Sequence, residues 1–165
     1  MTTTEEHVEL VAELVRVLEQ RILDPLEILL SSDELLEPIR TRLRVEAEVW
    51  AAQLLGDDQE TAAMTAARLI GVLFPGDTPF DPPAAWWRTA LGRAVARSVG
   101  HPAATTVPYS TAGAMLGITR QGVHDLVKRG KLEKDPSGGV TTSSIRARLN
   151  RLREGTHGPH RPDHR

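Results

Sequence analysis

With 165 residues, 40% of them hydrophobic, and no cysteine, the chain has material for one sizeable domain or two small ones, but none for a disulfide, a thiolate zinc site or a cysteine nucleophile. It has no run of about 18 apolar residues, and its opening MTTTEEHVEL is acidic where a secretory signal is basic and then apolar. A cytoplasmic protein with no membrane partner is therefore expected.

The net charge of -2 conceals a division: residues 1–85 hold 6 Lys and Arg against 17 Asp and Glu, a balance of -11, whereas residues 86–165 hold 14 against 5, a balance of +9. A basic half is drawn to phosphate; an acidic half is repelled from it and faces away or engages protein.

Over residues 5–23, Val8, Val11, Val15, Leu18 and Ile22 draw one apolar stripe along a helix. Leu10, Leu14 and Val17 add a second, so the apolar face is wider than a two-stranded seam and exceeds what one neighbour would cover. This helix is the expected interface of a homodimer. Asp24 and Pro25 read as a cap and first-turn proline restarting a short helix to Leu30. Ser31, Ser32, Asp33 and Glu34 have capping-box spacing for a long helix marked by Leu36, Ile39, Leu43, Trp50 and Leu54 and ended by Gly56. Arg40, Arg42 and Arg44 could touch DNA, but Glu46 and Glu48 beside them favour a solvated, ion-paired face.

Asp57 or Asp58 caps the next helix, whose Ala63, Ala66, Ala67, Ile70 and Leu73 suit close packing. The stiff loop at residues 75–83 is a candidate domain boundary, and Asp81 before Pro82 predicts another helix start. That helix carries Trp86, Trp87, Leu91 and Val95, with Arg88, Arg93 and Arg97 spread around it, until Gly100, His101 and Pro102 stop it. Adjacent tryptophans point about 100° apart on a helix, so both cannot face one core. Core packing is favoured over a ligand pocket walled by the two rings. Residues 101–107 are small and uncharged, as suits a linker that leaves the next unit some freedom.

The most specific stretch is residues 109–132, YSTAGAMLGITRQGVHDLVKRGKL. Small residues at Ala112, Gly113 and Ala114 allow a second helix to come close, and Gly117 supplies the left-handed corner that ends the first. Thr119 can cap the second helix, and Ile118, Val123, Leu126 and Val127 turn inward at helical spacing. Arg120, Gln121, His124 and Lys128 remain outside. There Arg120, Gln121 and His124 would read bases in the major groove, since Arg matches guanine and Gln matches adenine in bidentate fashion.

The stretch resembles the helix-turn-helix of the winged MerR and excisionase-like DNA-binding families. Their pattern runs small-small, then Gly, aliphatic, Ser or Thr, and a helix ending in basic-Gly; Ala112, Gly113, Gly117, Ile118, Thr119, Arg129 and Gly130 match it. The resemblance covers residues 107–154, under a third of the chain. It departs at Gly113, where the families usually have Ala, a change expected to cost helix stability of about 1 kcal/mol. It implies a wing formed by residues 131–135 and the turn Pro136, Ser137, Gly138, Gly139, followed by Val140 and a helix from near Thr142. That helix would place Ile145, Leu149 and Leu152 inward and Arg146, Arg148, Arg151 and Arg153 outward. Thr119, Lys128, Lys131, Lys134, Arg146 and Arg148 would hold phosphates.

A nucleophile with its base, paired carboxylates in an apolar setting, a HExxH helix and a phosphate-binding Gly loop are all missing, so neither catalysis nor a cofactor is expected. The tail at residues 155–165 has no apolar residue able to pack and is expected to be disordered; nothing would hold His157, His160 and His164 in the geometry a metal needs.

The expected architecture is mainly α: an acidic helical bundle over residues 1–100 for self-association or partner binding, a linker at 101–107, and a winged helix-turn-helix with a short β-hairpin wing at 108–154. The expected function is sequence-specific binding of double-stranded DNA by a dimer, as in a bacterial or phage transcription regulator of repressor type. The alternatives are an antitoxin-like or adaptor protein using its acidic half, and an excisionase-like architectural factor.

Overall fold

The chain begins as one rod. In the computed structural model, which describes residues 3–156, α1 (Thr3–Leu18) passes through a π-helical segment (Glu19–Leu23) into α2 (Asp24–Leu30). Asp24 therefore does not cap a new helix: its backbone is right-handed helical, and its N–H donates to the Glu19 carbonyl five residues back. The wider turn answers Pro25, which has no N–H and whose ring would press on the carbonyl four residues earlier in a regular helix. The rod ends at Ser31, which has a positive φ of 51° and whose N–H donates to the Glu27 carbonyl. Its place at this C-terminus is why the expected capping box is not made.

Antiparallel to the rod runs α3 (Glu37–Leu55), with Pro38 in its first turn, where a missing N–H costs nothing. Arg40 joins the two helices: its Nε donates to Glu19 at 2.9 Å, and Nη1 to Glu37 at 2.8 Å and Asp33 at 3.0 Å. Glu37, then Asp33 and Glu19, raise its pKa further above the already high guanidinium value. Arg42 pairs with Glu46 as the sequence favours, whereas Arg40 is largely covered and turns away from Glu46 and Glu48.

The expected dimer interface on α1 is largely used up within the chain. Leu10, Leu14, Val17 and Leu18 are buried, Val11, Val15 and Ile22 are half-buried, and only Val8, at 62% exposure, faces solvent. Helix α3 and the later helix that begins at Ala90 cover what was read as surplus apolar surface.

Asp58 caps α4 (Gln59–Leu73), accepting from the amides of Glu60 and Thr61. Its packing face is turned slightly from the expected one: Ala62, Thr65, Ala66, Leu69, Ile70 and Leu73 are buried, and Ala67 is exposed.

No helix starts at Asp81. A short 3-10 turn (Ala84–Arg88) carries both tryptophans, and α5 (Ala90–Val99) begins only after the extended Thr89, whose hydroxyl accepts from the Gly92 amide. Leaving the regular helix is what lets both indoles pack. Trp87 is fully buried, while Trp86 sits edge-on to Trp87, Phe74 and Phe80 at centroid distances of 4.9, 5.8 and 5.1 Å. The loop at 75–83 is held in this cluster through Phe80.

Helix α5 packs against α1, α3 and α4 on one side and α6 (Tyr109–Leu116) and α8 (Thr142–Thr156) on the other. Residues 101–107, expected to act as a linker, make several contacts with the rest of the chain. The His101 ring lies 5.1 Å from that of Trp87, its Nδ1 accepts from the amides of Ala103 and Ala104, and the Thr105 carbonyl accepts from the Thr142 amide.

Thr106 and Val107 form β1, antiparallel to β2 (Val140–Thr141), with Thr106 opposite Thr141 and Val107 opposite Val140. The expected charged strand at 131–135 is reduced to a single bridge, Lys134 to Val140. Of that segment only Leu132 is buried, too little apolar surface to anchor a longer ladder. Helix α8 continues through Thr156, beyond the expected start of the tail at Gly155, and the three tail histidines lie outside the described residues. Among the described residues, no helix is long and apolar enough to cross a membrane.

His101 makes the anchoring of 101–107 sensitive to pH. Burial lowers its pKa below the ordinary value of 6.5, outweighing the pull of Asp81. A histidine depressed by folding contributes fully above its unfolded pKa, and that contribution is lost as pH falls through 6.5 toward the lower folded value. The thermal midpoint should therefore drop between pH 7 and pH 5 by more than that of His101→Asn, which offers the same amides an acceptor that does not titrate; parallel pH profiles would remove His101 as the cause.

Candidate nucleic-acid interface

Two short helices meet at the corner the sequence marks. The N–H groups of Gly117 and Ile118 donate to the carbonyls of Ala114 and Gly113 at 3.3 and 2.9 Å, and Gly117 has φ 70° and ψ 28°. This is a left-handed helix end, which glycine adopts without the cost a Cβ brings. Thr119 then caps α7 (Arg120–Lys128), its hydroxyl accepting from the Gly122 amide at 3.0 Å.

Gly113 has a stronger reason to be glycine than helix propensity suggests. A Cβ built there would lie 2.8 Å from the Ile118 carbonyl oxygen and 3.5 Å from the Arg120 nitrogen. The start of α7 thus rests on the backbone of α6, and the residue expected to weaken its helix is the one that permits the contact.

On α7, Val123 is fully buried and Leu126 and Val127 are half-buried, so the opposite face is turned outward. Arg120, His124 and Lys128 follow one another at intervals of four residues along that face, with Gln121 and Asp125 in the adjacent row, and all five are exposed. The His124 ring packs edge-on to Tyr109 at 6.2 Å. The Gln121 amide donates to Asp125 at 3.2 Å. Asp125 is the feature the sequence reading passed over: a carboxylate in the middle of a cationic face, detectable from its four-residue spacing to Gln121. It holds the amide in place and opposes close approach of phosphate.

The remaining predicted residues divide. Thr119, Lys128, Lys131 and Lys134 are exposed. The turn beside Lys134 is fixed by Asp135, whose carboxylate accepts from the hydroxyl and amide of Ser137, both lowering its pKa. Arg146 is not brought to the same side. It donates to Gln59 at 3.2 Å, and its Nε is buried without a partner among the described residues, whereas Arg148, two residues on, leaves the helix about 200° further round. Two arginines so disposed cannot follow one phosphate backbone together. Arg151, from the outward arginine face expected on α8 as a possible phosphate contact, shares a cleft with Lys131, and the exposed Arg129 is a cation with no expected phosphate role.

Part of the basic half is also spent inside the molecule. Arg93 pairs with Glu9 at 2.9 Å, Arg97 lies 3.7 Å from Glu6, and Arg153 reaches the Leu55 carbonyl and lies 3.9 Å from Asp57. Arg120, Lys128, Arg129, Lys131, Lys134, Arg148 and Arg151 make no ion pair among the described residues, and they lie on α7, the turn after it and α8.

No protein-family model matches the chain, and no curated protein or solved structure is significantly similar to it.

Replacing Gly113 by Ala should destabilise the protein by about 1–3 kcal/mol, the usual cost of forcing atoms into a filled site, although Ala is the better helix former. Denaturant unfolding measures this, and a variant as stable as the parent would mean that α7 does not rest on α6 as described.

Proposed function

We propose that the chain binds duplex DNA sequence-specifically, with α6 and α7 acting as a helix-turn-helix, α7 entering the major groove, and the turn at 135–139 serving as a small wing. The observation that carries this reading is the outer face of α7: Arg120, Gln121, His124 and Lys128 stand opposite a buried Val123, and its cations are unspent on the protein itself. Arg120, Gln121 and His124 read bases, and Lys128, Lys131, Lys134 and Arg148 hold phosphates, with Thr119 at the helix start. Arg146 leaves this set because it is engaged by Gln59.

One unit of this size makes few base contacts, and dimers reading half-sites about 34 Å apart are the common remedy. The reading is therefore of a dimeric, cytoplasmic regulator of repressor type. Selection from a random duplex pool should return palindromic sites; DNA bent on binding without strong selection would favour an architectural role.

A second reading, an adaptor that docks a protein through the acidic half, is favoured by one observation. Ile28, Leu29, Leu30, Leu35 and Ile39 are exposed at the end of the rod and the start of α3, among exposed Asp24, Glu27, Asp33, Glu34 and Glu37. Such a corner suits a basic amphipathic segment better than a second acidic copy.

Arg120→Ala should relax base preference at one position and weaken specific binding by about 1–3 kcal/mol, whereas Lys134→Ala should weaken all sequences alike and reduce the salt slope by about 1. Titrations of selected and random duplexes at several salt concentrations distinguish them. No binding at low salt to either duplex would leave the adaptor reading alone.

A further inference from the structure

Arg88, Arg93 and Arg97 come together where the 3-10 turn meets α5. With Ala114, Met115, Leu116, Gly117 and Leu149 they line a cleft of about 220 Å³. One wall is cationic and the other apolar, with Met115 and Ala114 buried and Leu116 and Leu149 half-buried.

The three cations are unequally compensated. Arg93 is engaged by Glu9 and by the Arg88 carbonyl. Arg97 keeps only 18% of its side chain accessible, has Glu6 no closer than 3.7 Å, and holds a buried Nε with no acceptor among the described residues. Burial above all lowers its pKa, with Arg153 and Arg93 adding to the effect against the pull of Glu6. The Arg88 guanidinium is exposed and makes no ion pair among the described residues. Three guanidinium groups beside one cleft, one of them desolvated with an unused donor, lower their mutual repulsion by taking an anion.

We propose that this cleft binds a small amphiphilic organic anion, a short-chain carboxylate whose head rests on Arg88 and Arg97 and whose hydrocarbon body lies against Met115 and Leu149. A volume below the 300–1,000 Å³ or so of drug-sized sites limits the ligand to a few carbons. A simple inorganic anion leaves the apolar wall unused, and a neutral apolar molecule leaves the arginines uncompensated. Leu116 and Gly117 belong to the wall, so an occupant bears on the bend between α6 and α7.

Calorimetric titration of the full chain with hexanoate, 1-hexanol and inorganic phosphate tests the assignment without DNA, so its outcome stands apart from that of the base-reading experiment. Hexanoate should saturate one site and bind at least about tenfold tighter than either control. Arg88→Gln, at an exposed position, should weaken hexanoate about tenfold while leaving the unliganded melting midpoint in place, and Leu149→Ser should weaken hexanoate but not phosphate. Absence of saturation overturns the proposal, as does hexanol or phosphate binding as tightly as hexanoate. So does hexanoate affinity unchanged in Arg88→Gln.

Discussion

The structure depends on the burial of α5 from both sides. Ala90, Leu91, Gly92, Ala94, Val95, Ala96 and Ser98 are all buried, leaving Arg93, Arg97 and Val99 only partly so. With seven of its ten residues buried, α5 lies within the protein and reaches the surface along its arginine face, and its small side chains let five neighbouring helices approach it. The N-terminal helices and the C-terminal unit therefore share a wall. With Trp87 set at its start and His101 just beyond its end, the segment that follows α5 is held against Trp87 and Thr142.

The opposite charges of the halves take on a second meaning in this light. Glu6, Glu9 and Glu13 of α1 face α5, where Glu13 accepts from the Leu91 amide, and the turn between α3 and α4 faces Arg146 and Arg153 of α8. Exposed pairs of this kind contribute little stability, of order 0–1 kcal/mol each, but they favour one docking arrangement over others. What charge remains for a partner is the subset that found no internal carboxylate, and it is concentrated on α7, the turn after it and α8.

Close to the proposed DNA face, structure and electrostatics pull in different directions. Gly113, Gly117 and Thr119 aim α7 outward, yet Asp125 sits among its cations and restrains Gln121. A carboxylate there repels phosphate while it positions an amide. The arginine-lined cleft under the same corner adds a place from which the bend can be influenced.

Local chemistry made the corner at Gly117, the Thr119 cap, the inward set on α7, a cap at Asp57 or Asp58 and the pairing of Arg42 with Glu46 readable in the residues alone, because each depends on neighbours within about one helical turn. The candidate face was legible for the same reason, apart from Asp125. The continuous rod through Pro25, the break at Thr89, the anchoring of 101–107 and the diversion of Arg146 to Gln59 were decided only in three dimensions. Each turns on a contact distant in sequence or on a conflict between two local preferences, and spacing along a chain carries no record of which neighbour arrives to resolve it.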